Sequence, residues 1–117
     1  MKTKIPETLT VAAVRARYQK ANAVPIAGMI KDTVSGQTGY CILGIGALGL
    51  PDTKNGRYRD SAERAAVRFK VPVEYARGLE AGWENWRLGL GYTAKFNAGF
   101  KRGEALRKAI NPTKLRY

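Results

Sequence analysis

Apolar positions along the chain fall into short blocks, most of them at helical spacing. Val11, Val14 and Tyr18 recur in this way within residues 8–22, where Thr8 or Thr10 supplies a capping hydroxyl and Arg15, Arg17 and Lys20 fill the remaining surface. Pro25 closes that element, because the residue before a proline avoids helical geometry. Residues 26–30 suit a short strand, and Ser35-Gly36-Gln37-Thr38-Gly39 has the composition of a turn. Asp60-Ser61-Ala62-Glu63 opens a helix that reaches Lys70 and buries Ala62, Ala65, Ala66 and Phe69, with a carboxylate in the capping position. Val71-Pro72 ends it and begins the next. Residues 72–86 carry the clearest amphipathic pattern. Ala76, Leu79, Trp83 and Trp86 gather on one face with Tyr75 at its edge, and Arg77, Glu80 and Glu84 gather on the other. Residues 87–91 break this helix. A last helix over residues 93–110 is expected to bury Phe96, Phe100, Leu106 and Ile110, and Asn111-Pro112 stops it.

Tyr40-Cys41-Ile42-Leu43-Gly44-Ile45-Gly46-Ala47-Leu48-Gly49 contains a literal G-x-G-x-x-G behind an apolar run. A dinucleotide site needs those glycines at a strand-to-helix turn, with the pyrophosphate on the N-terminus of the new helix. Here that helix would run into Leu50-Pro51-Asp52, and the acid about 20 residues on, Glu63, falls inside an alanine-rich helical stretch. The fingerprint reading therefore fails. A buried helix over residues 40–50 is favoured, with a strand hairpinned onto residues 26–30 as its competitor. Its glycines cost about 1 kcal/mol each relative to alanine, which close approach of a neighbouring backbone would offset.

Tyr75-Ala76-Arg77-Gly78-Leu79-Glu80-Ala81-Gly82 echoes Phe96-Asn97-Ala98-Gly99-Phe100-Lys101-Arg102-Gly103. Small residues four apart let two helix axes approach closely, so two helices packed on one another are expected, with chance similarity as the alternative. Together these elements predict a mainly α fold. It is a compact bundle of about four to five short helices with room for one short β-hairpin, forming one helical domain over residues 1–112 and a flexible basic tail over residues 113–117.

The charge balance is the strongest compositional signal. The 117 residues hold 21 Lys and Arg against nine Asp and Glu, a formal charge of +12. Such an excess raises the expectation of an anionic partner. The alternative is a basic, solvated surface that only keeps the protein soluble. There is no histidine and a single cysteine, Cys41, so zinc sites and histidine-dependent nucleophiles have nothing to be built from. Cys41, in an apolar stretch, reads as a buried hydrophobe, and the lone thiol suits a reducing cytoplasm. No apolar run approaches the roughly 20 residues that span a bilayer, and Met1 to Glu7 has no apolar region of the kind a secretory signal needs.

Three places carry candidate chemistry. Lys54-Asn55-Gly56-Arg57-Tyr58-Arg59 sets two guanidiniums around an aromatic ring on a turn. That suits phosphate contacts with stacking on an unpaired base, against a loop whose Tyr58 folds back on the core. Lys95, Lys101, Arg102, Arg107 and Lys108 on the last helix suit phosphate tracking. They also fan around that helix, with Glu104 placed to pair with Lys108. Glu80 and Glu84 beside Trp83 and Trp86 form a carboxylate pair of the kind found in sugar-cleaving clefts, though glutamates at this spacing usually face solvent.

With the segments in place, the chain resembles small uncharacterised proteins of bacteria and their phages. The resemblance rests on Gly39-Tyr40-Cys41-Ile42-Leu43-Gly44, on Gly78-Leu79-Glu80-Ala81-Gly82-Trp83 and on residues 96–110. It spans residues 8–110 and departs in its stronger positive charge and in lacking an Asn-Asp pair near the second segment. It implies a mainly helical fold and a phage or bacterial source, and no known activity. The expected function is that of a non-enzymatic accessory protein, cytoplasmic and without a cofactor, metal or transmembrane segment. It binds an anionic partner, nucleic acid before any other. A modulator docking on an acidic host-protein surface is the alternative, and a carboxylate-dependent enzyme the second alternative.

Overall fold

The computed structural model describes residues 5–115. Residues 1–4, and Arg116 and Tyr117 at the end of the expected tail, lie outside the described residues. A 3₁₀ turn, Glu7–Leu9, leads into α1, Val11–Lys20, whose Thr10 hydroxyl accepts the Ala13 N–H at 3.1 Å. Three strands follow: β1 Val24–Ala27, β2 Lys31–Val34 and β3 Gln37–Tyr40. Then come α2 Ile42–Ala47, the strands β4 Thr53–Lys54 and β5 Arg57–Tyr58, α3 Ser61–Phe69, α4 Val73–Trp83, α5 Ala94–Ile110 and β6 Thr113–Lys114.

The fold is mixed α/β, which corrects the expected mainly α bundle with at most one short β-hairpin. A four-stranded sheet in the order β2-β3-β1-β6 stands beside five α-helices. β1 runs parallel to β3 and to β6, while β2 and β3 form an antiparallel hairpin. The physical reason lies in β1. Proline is rare in a central strand because it donates no ladder hydrogen bond, so Pro25 reads as a breaker. Here the two neighbours of β1 are staggered. β3 pairs with Val24 and Pro25, and β6 with Ile26 and Ala27, so each half of β1 is flanked on one side only. The other strands are two to four residues long and largely polar, too short to show a period. Thr113 and Lys114, inside the stretch expected as a loose tail, form β6, and the Leu115 N–H continues the pairing onto Ala27 O at 2.9 Å.

Residues 40–50 do hold a helix, but it spans only Ile42–Ala47 and follows β3 directly, with Cys41 as its cap. Every residue from Cys41 to Ala47 is buried. Gly44 lies against the Ile30 carbonyl and Gly46 against the Phe69 ring. Gly44 and Gly46 thus serve core packing, while Gly49, the third glycine of the G-x-G-x-x-G, lies exposed beyond the helix at φ 82°.

The core joins Leu9, Val14 and Tyr18 to Ile42, Ile45, Phe69, Leu79, Trp83 and Leu106. Trp83 is fully buried, whereas Trp86, expected on the same face, is half exposed because the helix ends first. The paired glycine motifs meet across α4 and α5. A Cβ on Gly78 would collide with the Phe96 carbonyl, and one on Gly99 with the Tyr75 carbonyl. Gly82 and Gly103 repeat the arrangement one turn further on, against Phe100 O and Leu79 O. Two backbones in contact along two turns fix the crossing of these helices and the start of the loop between them.

Candidate nucleic-acid interface

β4 and β5 pair Thr53 with Tyr58 and Lys54 with Arg57 across a two-residue turn. The type I′ form of such a turn requires positive φ at both central positions. Asn55 at φ 54° and Gly56 at φ 76° supply it, and a Cβ at Gly56 would meet nothing within 4 Å. The hairpin therefore projects from the body. Residues 53–58 are all exposed, and Tyr58 shows 65% of its surface to solvent. At its base the Arg59 N–H donates to Asp52 O, and Arg57 pairs with Glu63 of α3 at 3.0 Å. An exposed pair of this kind adds little stability but sets the direction of the guanidinium. Lys54, Asn55, Arg57, Arg59 and Glu63 surround a cleft of about 490 Å³.

The basic groups of α5 divide into two kinds. Lys95, Lys101 and Lys108 are exposed. Arg102 and Arg107 are half-buried and spend their N–H groups on backbone carbonyls. Arg102 Nε donates to Leu9 O at 2.9 Å, while Arg107 Nε donates to Gly82 O at 3.2 Å and its Nη2 to Asn85 Oδ1 at 3.4 Å. These two arginines fasten α5 to the N-terminal turn and to the end of α4. Lys101 and Arg102 line a cavity of about 430 Å³ with Tyr75 and Asn97. Arg107 and Lys108 line another of about 360 Å³ with Glu84 and Lys114. The hairpin cleft shares no residue with either.

Electrostatically the positive charge is little neutralised. Among the described residues the ion pairs within 4.0 Å are Arg57–Glu63 and Arg77–Asp60, and Glu104 with Lys108 is not one of them. Several acids are occupied elsewhere. Both carboxylate oxygens of Glu84 accept the Gly28 N–H, at 2.8 and 2.7 Å, Glu74 accepts the Thr93 hydroxyl, and Asp60 caps α3 by accepting the Glu63 N–H at 2.9 Å. The Glu80–Glu84 pair is half-buried rather than solvent-facing. Burial, and then the charge of Glu84, pushes the Glu80 carboxyl above its usual range. Trp83 is sunk in the core and Trp86 lies beyond the helix end, and the cavity of about 360 Å³ takes Trp83 and Glu84 into its lining but not Glu80. Cys41 is fully buried and its thiol is pushed up to about 12 by desolvation.

Two features had no counterpart in the sequence pattern. Arg64 Nε is buried without a hydrogen-bond partner, and its Nη1 reaches only Leu50 O at 3.5 Å. Residues 86–92 expose Trp86, Leu90 and Tyr92 together. Among the described residues, no helix is long and apolar enough to cross a membrane, and no group of three His, Cys, Asp or Glu converges as a metal site requires. No protein-family model matches the chain, and neither a curated protein nor a solved structure matches it.

Proposed function

We propose that this is a non-enzymatic accessory protein that binds nucleic acid, with the β4–β5 hairpin as the contact for an unpaired strand. The observation that carries this reading is Tyr58, 65% exposed on a tight-turned hairpin whose other face carries Lys54, Arg57 and Arg59 around a cleft. Any base can stack on such a ring, since every base has a π-face, while flanking cations track the phosphates. A hairpin set by its turn loses little freedom on binding. Lys95, Lys101 and Lys108 add long-range attraction from α5, while Arg102 and Arg107 hold that helix in place. A buried, free Cys41 supports a reducing, cytoplasmic setting.

Fluorescence anisotropy with a labelled single-stranded oligonucleotide tests the stacking role. Tyr58→Ala is expected to weaken binding by about 1–3 kcal/mol, the usual worth of one base–aromatic stack, and Tyr58→Phe to retain it. Equal affinity for Tyr58→Ala and the parent protein overturns the reading.

A further inference from the structure

We propose that the loop between α4 and α5, residues 86–92, is a membrane-contact tip that seats Leu90 in the interface of an anionic lipid surface. This inference is independent of the hairpin and of nucleic-acid binding.

Exposed large apolar side chains are ordinary when scattered. Here Trp86, Leu90 and Tyr92 share one short loop, at 51%, 103% and 45% exposure. Leu90 touches nothing, and its neighbours Gly89 and Gly91 have open space where a Cβ would stand. The tip is therefore a bare aliphatic side chain on a thin strand of backbone.

Both ends of the loop are fixed. At the first, the Trp86 N–H donates to Ala81 O at 2.9 Å, and Arg107 bridges Gly82 O and Asn85 Oδ1. At the second, the Tyr92 ring stacks on Phe96 with centroids 4.4 Å apart and planes 16° from parallel. Asn97 Nδ2 donates to Tyr92 O, and the Thr93 hydroxyl to Glu74. The apolar tip is held outward by its anchors instead of folding back onto the core.

The chemistry around Leu90 matches a lipid interface. Trp and Tyr favour the headgroup level, where an apolar ring body meets a polar edge. Arg87 within the loop and Lys95 in the first turn of α5 that follows it are both exposed, and among the described residues neither is in an ion pair. One leucine and two half-exposed aromatics offer too little apolar area for stable binding to neutral lipid, so attraction between a +12 protein and anionic headgroups must supply the remainder. A protein partner would need a pocket shaped to receive Leu90. A fluid interface needs none.

Co-sedimentation with phosphatidylcholine vesicles, with and without phosphatidylglycerol, tests this, together with tryptophan emission. Trp83 is already buried, so Trp86 is the reporter. We expect binding only to vesicles that contain phosphatidylglycerol, a blue shift that disappears in Trp86→Phe, and binding at least about tenfold weaker for Leu90→Ser, which leaves the net charge unchanged. Arg87→Gln with Lys95→Gln weakens it as well. Wild-type binding by Leu90→Ser would show that charge alone acts and overturn the proposal. An unshifted emission spectrum, or no binding to protein-free vesicles, overturns it too, the last result pointing to a protein partner. Leu90 makes no packing contact, so an unchanged circular dichroism spectrum of Leu90→Ser secures the comparison.

Discussion

Trp83 donates its indole N–H to the carbonyl of Ile26 across 2.8 Å, tying the last turn of α4 to β1. Both groups are buried, and the bond joins positions 57 residues apart. Tyr18 makes a matching tie, its hydroxyl donating to Tyr40 O at 2.8 Å while its ring stacks on Trp83 with centroids 6.4 Å apart. The helical layer and the sheet are thus joined through two amphipathic aromatics whose polar ends satisfy strand carbonyls.

Trp83→Phe removes the donor and leaves the Ile26 carbonyl buried without a partner. That penalty alone is about 1–3 kcal/mol, with a further loss from the space the smaller ring leaves. Urea denaturation of the variant measures it.

Gly99→Ala forces a Cβ into the Tyr75 carbonyl, where only backbone can give way. Overpacking of this kind costs about 1–3 kcal/mol, and thermal melting should show it as a clear drop. Gly89→Ala enters open space and is expected to stay within about 0.5 kcal/mol of the parent. Equal melting of the two variants would mean that α4 and α5 do not touch through their glycines.

These outcomes bear on what was legible in the sequence. The helix starts were, because Asp60 and Thr93 cap α3 and α5 through short local contacts, to Glu63 N and Phe96 N. The sheet was not. Pro25 marks a break by every local rule, and only the stagger of β3 and β6, set by residues far along the chain, makes it tolerable. Trp86 continues the period of α4 past Trp83, but the helix ends at that residue and the side chain swings into solvent. Within the candidate interface, Asn55-Gly56 announced the hairpin tip. The engagement of Arg102 with Leu9 O, 93 residues away, left no local trace.

Stability should depend on pH in two opposing ways. Glu80 and Glu84 are held above their usual value of 4.5, chiefly by burial. Acids raised in this way favour the fold fully below that value, and the contribution is lost as pH rises through the raised one. Asp60 is held below its usual 3.8, first by the Glu63 N–H, so its contribution is present above 3.8 and lost as pH falls through the lowered value. Glu80→Gln should therefore melt higher than the parent at neutral pH and converge with it in acid. Asp60→Asn should melt lower at neutral pH and also converge in acid. Melting curves across pH check both signs.

Cations of the hairpin that meet phosphates must make binding to a single strand depend on salt. Single-stranded binding falls with log salt at a slope of about −0.7 per phosphate neutralised. Removing Lys54, Arg57 and Arg59 together, each to Ala, should make the slope shallower by about 2 while circular dichroism stays unchanged. A variant whose slope equals that of the parent protein would contradict the account.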